Sequence, residues 1–278
     1  VFTPLLPAEL PRLREARLTP TLSTAATIAA WAESGGGPWH LAIDTGVSRA
    51  GVRWDCMSTI LEAVRASPPD GAFTHFHSAE LDDGSMEIQE QRFRDAIAVL
   101  PSRPAILHAD NSAAIVRRSQ EKPSPWNLVR PGVFLYGVGS GPRAAIQPEA
   151  VAHLRARVVE VRSLNAGDSV GDDATWIAKR RSRIATLAVG YADGYRRSLG
   201  NHAEALVHGR RVPVVGTVMM DMTILDVTDI TCEVGDHATL FGADGGDLLT
   251  VEAVAARGGL SPYELLTGLR QRITRIPA

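Results

Sequence analysis

Through the first half of the chain, short apolar runs alternate with stretches of helical periodicity. "LTPTLS" precedes the Ala-rich "TAATIAAWAES", which stops at Gly35-Gly36-Gly37-Pro38. "WHLAID" (39–44) precedes "DCMSTILEAVRAS", and Pro68-Pro69-Asp70-Gly71 forms a turn signal. "AFTHFHS" (72–78) precedes "MEIQEQRFRDAIAVL", "AILHAD" (105–110) precedes "NSAAIVRR", and the strand-like "NLVRPGVFLYG" (127–137) closes the series. Strands separated by helices of this length predict right-handed βα units on a parallel sheet. Polar residues follow each apolar run, where (β/α)8 barrels carry their active sites.

A Gly/Pro/Ala connector, "VGSGPRAAIQPEA" (138–150), marks a boundary. Beyond it the texture becomes strand and turn: "LRARVVEVRSL", "SRIATLAVG", "AEALVHGRRVPVVGTV", "MTILDVTD" and "HATLF". The expectation is therefore an α/β barrel domain over 1–137 and a mostly β domain over 151–278. One late helix is predicted from Ser261-Pro262-Tyr263-Glu264, which joins a capping box to a proline at the first helical position.

Composition narrows the function. A net charge of −2 gives no electrostatic footprint for nucleic acid or an anionic membrane, and no apolar run approaches the ~18 residues of a membrane span. Cys56 and Cys232 are far apart, consistent with two free thiols in a reducing cytoplasm. The lysines are Lys122 and Lys179; arginine supplies the rest of the positive charge.

Several loops carry candidate chemistry. His75 and His77 lie two apart, so on a strand they would face the same way, and His108 ends the next strand run. This set reads as one catalytic or hydrogen-bonding histidine, as a structural pair, or as a metal cluster on a barrel rim. Arg130 leaves an apolar strand just before Pro131-Gly132. It reads either as a solvated strand end or as an arginine aimed into the rim, with the Gly132 and Val133 amides forming an anion nest. "DTGVSRAG" (44–51), with Asp44, Ser48 and Arg49, is ambiguous alone. "VGYADGYRR" (189–197) and "GTVMMDM" (216–222) read as polar loops ending β-domain strands.

Taken together, "HLAIDTGVSRAGV", "THFHSAE", "HADNSAA", "LVRPGVFLYG", "SVGDDATW", "AVGYADGYRR", "PVVGTVMMDMTILDVTD" and "YELLTGL" resemble, in order and texture, the bacterial alanine racemase family. The resemblance implies a TIM-like (β/α)8-type barrel, N-terminally incomplete here, followed by a β domain. It implies an isomerase that interconverts L- and D-alanine for peptidoglycan, with pyridoxal 5′-phosphate at the barrel mouth. It also implies a head-to-tail homodimer in which each site is completed by the partner's β domain. Arg130 matches the arginine facing the cofactor's pyridine nitrogen; too weak an acid to transfer a full proton, it leaves that nitrogen unprotonated. His75 matches the histidine linking that arginine to a catalytic tyrosine, and Arg49 the arginine near the phenolic oxygen. Ser112, Gly132 and Val133 match the phosphate cup. Tyr191, Met220 and Asp221 match residues lining the substrate's approach.

Three departures qualify the resemblance. The cofactor lysine, with two barrel strands, belongs to a segment that would precede residue 1, so an N-terminally truncated chain with about six of eight barrel strands is expected, inactive by itself. Asp172 stands where the family has the tyrosine that serves as second base. An unperturbed carboxylate titrates near ~4 against ~10 for a phenol, so Asp172 is the weaker base unless buried or pushed by Asp173; both aspartates also read as turn caps. Ala42 and Gln271 replace a modified lysine and a phosphate-binding tyrosine found in some members. The alternatives are a relative that has lost racemisation, either a lyase or aldolase or a non-catalytic cofactor binder, and a metal-dependent barrel hydrolase built on His75, His77 and His108.

Overall fold

The computed structural model describes residues 1–121, 123–141, 144 and 146–277. It divides into two compact units, one comprising residues 1–134 and 140–147, the other 135–139 and 148–278.

The first unit is built on a parallel sheet. Its strands are β1 (Thr21–Leu22), β2 (His40–Asp44), β3 (Val52–Arg53), β4 (Gly71–Phe73) and β5 (Ile106–His108), in the order β1-β2-β4-β5 with β3 beside β2. Helices α1 (Leu10–Glu15), α2 (Ala25–Glu33), α3 (Leu61–Ala66), α4 (Ser85–Ala98) and α5 (Ser112–Glu121) alternate with the strands. Their starts follow local chemistry. The Thr24 hydroxyl accepts from the Thr27 amide to cap α2, and Asn111 Oδ1 accepts from the Ala114 amide to cap α5. Trp31, Trp39, Phe76 and Phe93 fill the core between sheet and helices.

Two strand expectations fail here. β4 ends at Phe73, so His75 and His77 lie on the loop beyond it and the two-residue alternation does not reach them. Over 127–137 no strand forms: a single parallel bridge joins Arg130 to Asn111, and a 3-10 turn follows at Val133–Tyr136. The Asn127 side chain takes the ladder's place, accepting from the Leu107 amide and donating to the Ala105 carbonyl. Leu128 and Val129 stay exposed, so no burial holds this segment extended.

The second unit is a seven-stranded antiparallel sheet. Its strands are β6 (Leu154–Leu164), β9 (Ser182–Leu187), β10 (Glu204–Val207), β11 (Arg210–Pro213), β12 (Thr223–Asp226), β13 (His237–Asp244) and β14 (Asp247–Leu249). The order is β11-β10-β13-β6-β9-β12, with β14 on β13. A separate small hairpin pairs β7 (Ser169–Val170) with β8 (Trp176–Ile177). Helices α6 (Val251–Arg257) and α7 (Pro262–Gly268) pack at the C-terminal end, and α7 starts with the Ser261/Glu264 capping box expected of it. No helix among the described residues is long and apolar enough to cross a membrane.

Two loops of this unit lie backbone to backbone: the Tyr191 and Ala192 amides donate to the carbonyls of Met219 and Met220. A Cβ at Gly190 would sit 2.2 Å from the Met219 carbonyl oxygen, so only glycine permits this approach. Gly190→Ala should therefore separate the loops and lower the stability of this unit by about 1–3 kcal/mol, the usual cost of overpacking. Equilibrium denaturation checks this, and an unchanged midpoint would show that the loops relax freely.

Candidate active site

The polar residues of the first unit gather beyond the C-terminal ends of its parallel strands. Arg130 is the centre of this group. Its Nη2 donates to the carbonyls of Thr74 (2.8 Å) and Ala109 (3.0 Å), and its Nη1 donates to His108 Nδ1 (2.5 Å). The Arg130 amide also donates to the Asp110 carbonyl. Burial, only partly opposed by the charge of Asp110, lowers the guanidinium pKa to about 10. It therefore remains cationic at neutral pH.

His108, on β5, is 5% exposed and stacks on Phe73, with ring centroids 4.9 Å apart. In this structure His108, and not His75, is the histidine hydrogen-bonded to Arg130. His75 is half-buried, and its Nδ1 is sequestered without a hydrogen-bond partner. Gln89 on α4 holds the His75 backbone: its Nε2 donates to the His75 carbonyl, and its Oε1 accepts from the His77 amide. His77 is exposed and turned to the Ser78 hydroxyl. Among the described residues no group of three His, Cys, Asp or Glu side chains is placed to hold a metal ion, so the cluster of His75, His77 and His108 does not assemble. The physical reason is the early end of β4 together with the capture of His108 by Arg130.

Phe2 was not singled out in the sequence, and only the fold reveals its position. Its ring lies 4.8 Å from Phe73 and edge-on to His75 at 5.9 Å. The guanidinium carbons of Arg130 and Arg49 stand 5.3 Å and 5.9 Å from the same ring. A cavity of about 350 Å³ opens beside it, lined among others by Ala42, Arg49, Thr74 and His75. Arg49 itself is exposed on the 44–51 loop. Asp44 is structural there, its Oδ1 accepting the Gly46 and Ser48 amides.

Ser112 begins α5, and its Oγ accepts from the Gly132 amide at 2.8 Å. The start of a ten-residue helix and the turn beginning at Val133 thus meet at one hydroxyl. Backbone N–H groups at such a junction favour an anion. Asp110, just before, is buried; Arg118 Nε donates to its Oδ1, and Arg118 also pairs with Glu90.

In the second unit Tyr191, Met220 and Asp221 are exposed on the two zipped loops. Arg272 clamps them, donating from Nε and Nη2 to both Asp193 oxygens (2.5 and 3.1 Å) and from Nη2 to Asp221 (2.5 Å). Burial pushes the Asp193 carboxyl up, but Arg272 and the Gly190 amide outweigh it and hold the group below the usual carboxylate range. Gln271 is the exposed neighbour of this clamp.

Asp172 is exposed in the loop between β7 and β8. Its carbonyl accepts from the Thr217 hydroxyl, which ties this loop to 216–222. Asp173 has a φ of 63°, a left-handed conformation that Asp tolerates better than most residues, and it pairs with Arg197 at 3.0 Å. Its charge is therefore shared with a cation and not directed at Asp172 alone. Lys179 is exposed in this unit, and Lys122 lies outside the described residues.

An α/β unit of TIM-like barrel type carrying an arginine–histidine cluster, followed by an antiparallel β unit, defines the fold class. Residues 1–140 match the model of the alanine racemase N-terminal domain, and residues 151–277 that of the alanine racemase C-terminal domain. The chain belongs to the alanine racemase family. It is 35% identical over 250 residues to an alanine racemase of Sorangium cellulosum, covering 85% of this chain and 65% of that protein. The chain thus spans about two thirds of its relative's length. A crystal structure of alanine racemase from E. faecalis superimposes with a TM-score of 0.88 at 30% identity, covering 98% of this chain and 76% of the other. The alanine racemase of Bartonella henselae, solved with covalently bound pyridoxal phosphate, gives 0.87 at 28% identity, covering 99% and 77%.

The buried histidines generate a pH prediction. Burial, then the charges of Arg130 and Arg49, lower His75 to about 4; burial, then Arg130 and His40, lower His108 to about 3. Above pH ~6.5 both rings are neutral in either state; below it the unfolded chain takes up protons that the folded chain refuses. Stability should therefore fall progressively as the pH drops from about 6.5 towards 3. Urea midpoints at about pH 7.5 and 5 test this. His75→Phe should flatten the slope, and an unaltered slope in that variant would remove His75 from the account.

Proposed function

We propose that the protein is a pyridoxal-phosphate-dependent amino-acid racemase that interconverts L- and D-alanine. In this reading it is a cytoplasmic head-to-tail homodimer supplying D-alanine for peptidoglycan. Family membership supports the reaction class. The observation that carries it to this chain is the convergence of Arg130, Arg49 and His75 on one aromatic ring, with Gly132, just after Arg130 along the chain, bonded to Ser112. The residues fit the cofactor in kind: the guanidinium carbons of Arg130 and Arg49 stand 5.3 Å and 5.9 Å from one aromatic ring, that of Phe2, and the buried His75 Nδ1 has no hydrogen-bond partner.

Pyridoxal phosphate, when bound, supplies an electron sink that makes the Cα proton of an amino acid removable. Ser112, Gly132 and Val133 would hold its phosphate, Arg49 its phenolic oxygen and Arg130 its ring nitrogen. Arg130 can only donate hydrogen bonds and keeps its proton, so it orients the ring without protonating it. Tyr191, Met220 and Asp221, clamped by Arg272, would line the substrate's approach in the partner's site. Racemisation needs a proton-transfer group on each face of the substrate carbon. Neither Lys122 nor Lys179 lies in a family lysine motif, so the 278 residues alone should not racemise alanine. Asp172 stands at the second position by the family resemblance, and a carboxylate, a much weaker base than a phenolate, favours one further reading, a relative that works from a single face.

Racemisation of L-alanine by the protein expressed from its whole gene, with added pyridoxal phosphate, tests the proposal; no exchange at Cα in deuterated water would overturn it. Asp172→Tyr should raise the rate by roughly 10²–10³-fold, the contribution of a positioned general base. An equal rate in both proteins would assign that face to another residue. Loss of activity on substitution would make Asp172 itself the base.

A further inference from the structure

Behind Arg130 and His108 stands a second histidine. His40 Nδ1 lies 2.8 Å from His108 Nε2, and the two ring centroids are 5.0 Å apart. His40 opens β2 and neighbours Gly71 on β4. A Cβ at position 71 would come within 2.7 Å of the His40 ring, so the ring has its place only because residue 71 is glycine.

Donor–acceptor accounting makes this chain directional. A guanidinium has donors and no acceptor, so His108 Nδ1 must present its lone pair to Arg130. A neutral imidazole carries one N–H, so the His108 proton must sit on Nε2. That N–H must donate to His40, so His40 Nδ1 must also be unprotonated, with its own proton on Nε2. Neither histidine can gain a second proton, nor can either switch tautomer, without placing two donors face to face.

We propose that His40 is a positioning residue for Arg130: by accepting from His108 it selects the one His108 tautomer that can receive the Arg130 guanidinium. The step from Arg130 to the cofactor rests on the racemase reading; the histidine pair itself does not. With no acceptor at residue 40, the His108 Nε2–H is left buried and unbonded. His108 then gains only by turning its ring to find that N–H a partner, which takes Nδ1 away from Arg130 Nη1 and leaves the tautomer unfixed; a proton shift alone would set two donors face to face. Thr74 and Ala109 would still hold Nη2, so the guanidinium would pivot and stay in place.

The surroundings keep His40 in the accepting state. The charged and titratable groups facing it are His108 on β5, Asp70 before β4 and Arg130 beyond His108. Asp70 is engaged with the Trp39 amide. Burial lowers the His40 pKa and Asp70 only partly opposes this, with a net shift below the ordinary histidine value. At neutral pH His40 is therefore uncharged and able to accept.

The test uses long-range proton–nitrogen NMR of histidine-labelled protein expressed from its whole gene, before and after titration with pyridoxal phosphate. Wild-type His108 should show its proton on Nε2. His40→Asn, whose side-chain oxygen can replace the Nδ1 lone pair, should preserve that tautomer. His40→Phe, which keeps a ring and removes the acceptor, should abolish it. The Phe variant should also weaken pyridoxal phosphate binding about tenfold, the scale on which outer-shell partners tune a bound group. An Nδ1 proton on wild-type His108, or an unchanged His108 tautomer in the Phe variant, would overturn the proposal. Should the Phe variant not fold, the wild-type and Asn spectra still decide it. Absence of cofactor binding by the wild type would instead overturn the racemase reading and leave the tautomer result standing.

Discussion

A buried guanidinium organises the first unit. Arg130 cannot shed its proton at neutral pH, and none of its nitrogens can accept, so everything around it must offer lone pairs. The Thr74 and Ala109 carbonyls at the ends of β4 and β5 do so, and so does one nitrogen of His108. A buried cation without such acceptors would cost several kcal/mol. The strand ends, the histidine tautomers and the bridge from Arg130 to Asn111 are parts of one solution to that constraint. The same arrangement explains why a histidine that could have bound a metal is committed elsewhere.

The second unit uses arginine differently. Arg272 is half-exposed, and its work is to join Asp193 on one loop to Asp221 on another. Exposed ion pairs add little stability, but a bidentate fork into a largely buried carboxylate defines geometry. Together with the glycine at 190 it holds Tyr191, Met220 and Asp221 in register. In both units, then, presentation of the candidate side chains depends on an arginine that fixes the backbone or carboxylates behind them.

The Asp172–Asp173 pair shows how a local signal can be divided. Asp173 takes the left-handed turn and pairs with Arg197, which is the work of a turn residue. Asp172 is left exposed beside the 216–222 loop, and it is the residue that the family resemblance sets at the second-base position. Two adjacent carboxylates in sequence thus become one structural group and one chemical candidate.

The alternation of apolar runs and helical periods was enough to read the parallel unit, the antiparallel unit and the capping of α7. Those features arise from contacts within a few residues and from which face must be buried. The loop motifs carried the family resemblance. Strand lengths were not legible, because β4 stops where Gln89 from the following helix captures the His75 backbone, and 127–137 stays irregular because nothing covers Leu128 and Val129. Nor could the sequence show that His108 bonds Arg130, that His40 stands behind it, or that Phe2 packs among the arginines. Each of these depends on residues 20 to 130 positions apart, brought together by sheet register. Sequence periodicity records which side of an element is buried; only the assembled sheet decides which buried groups meet.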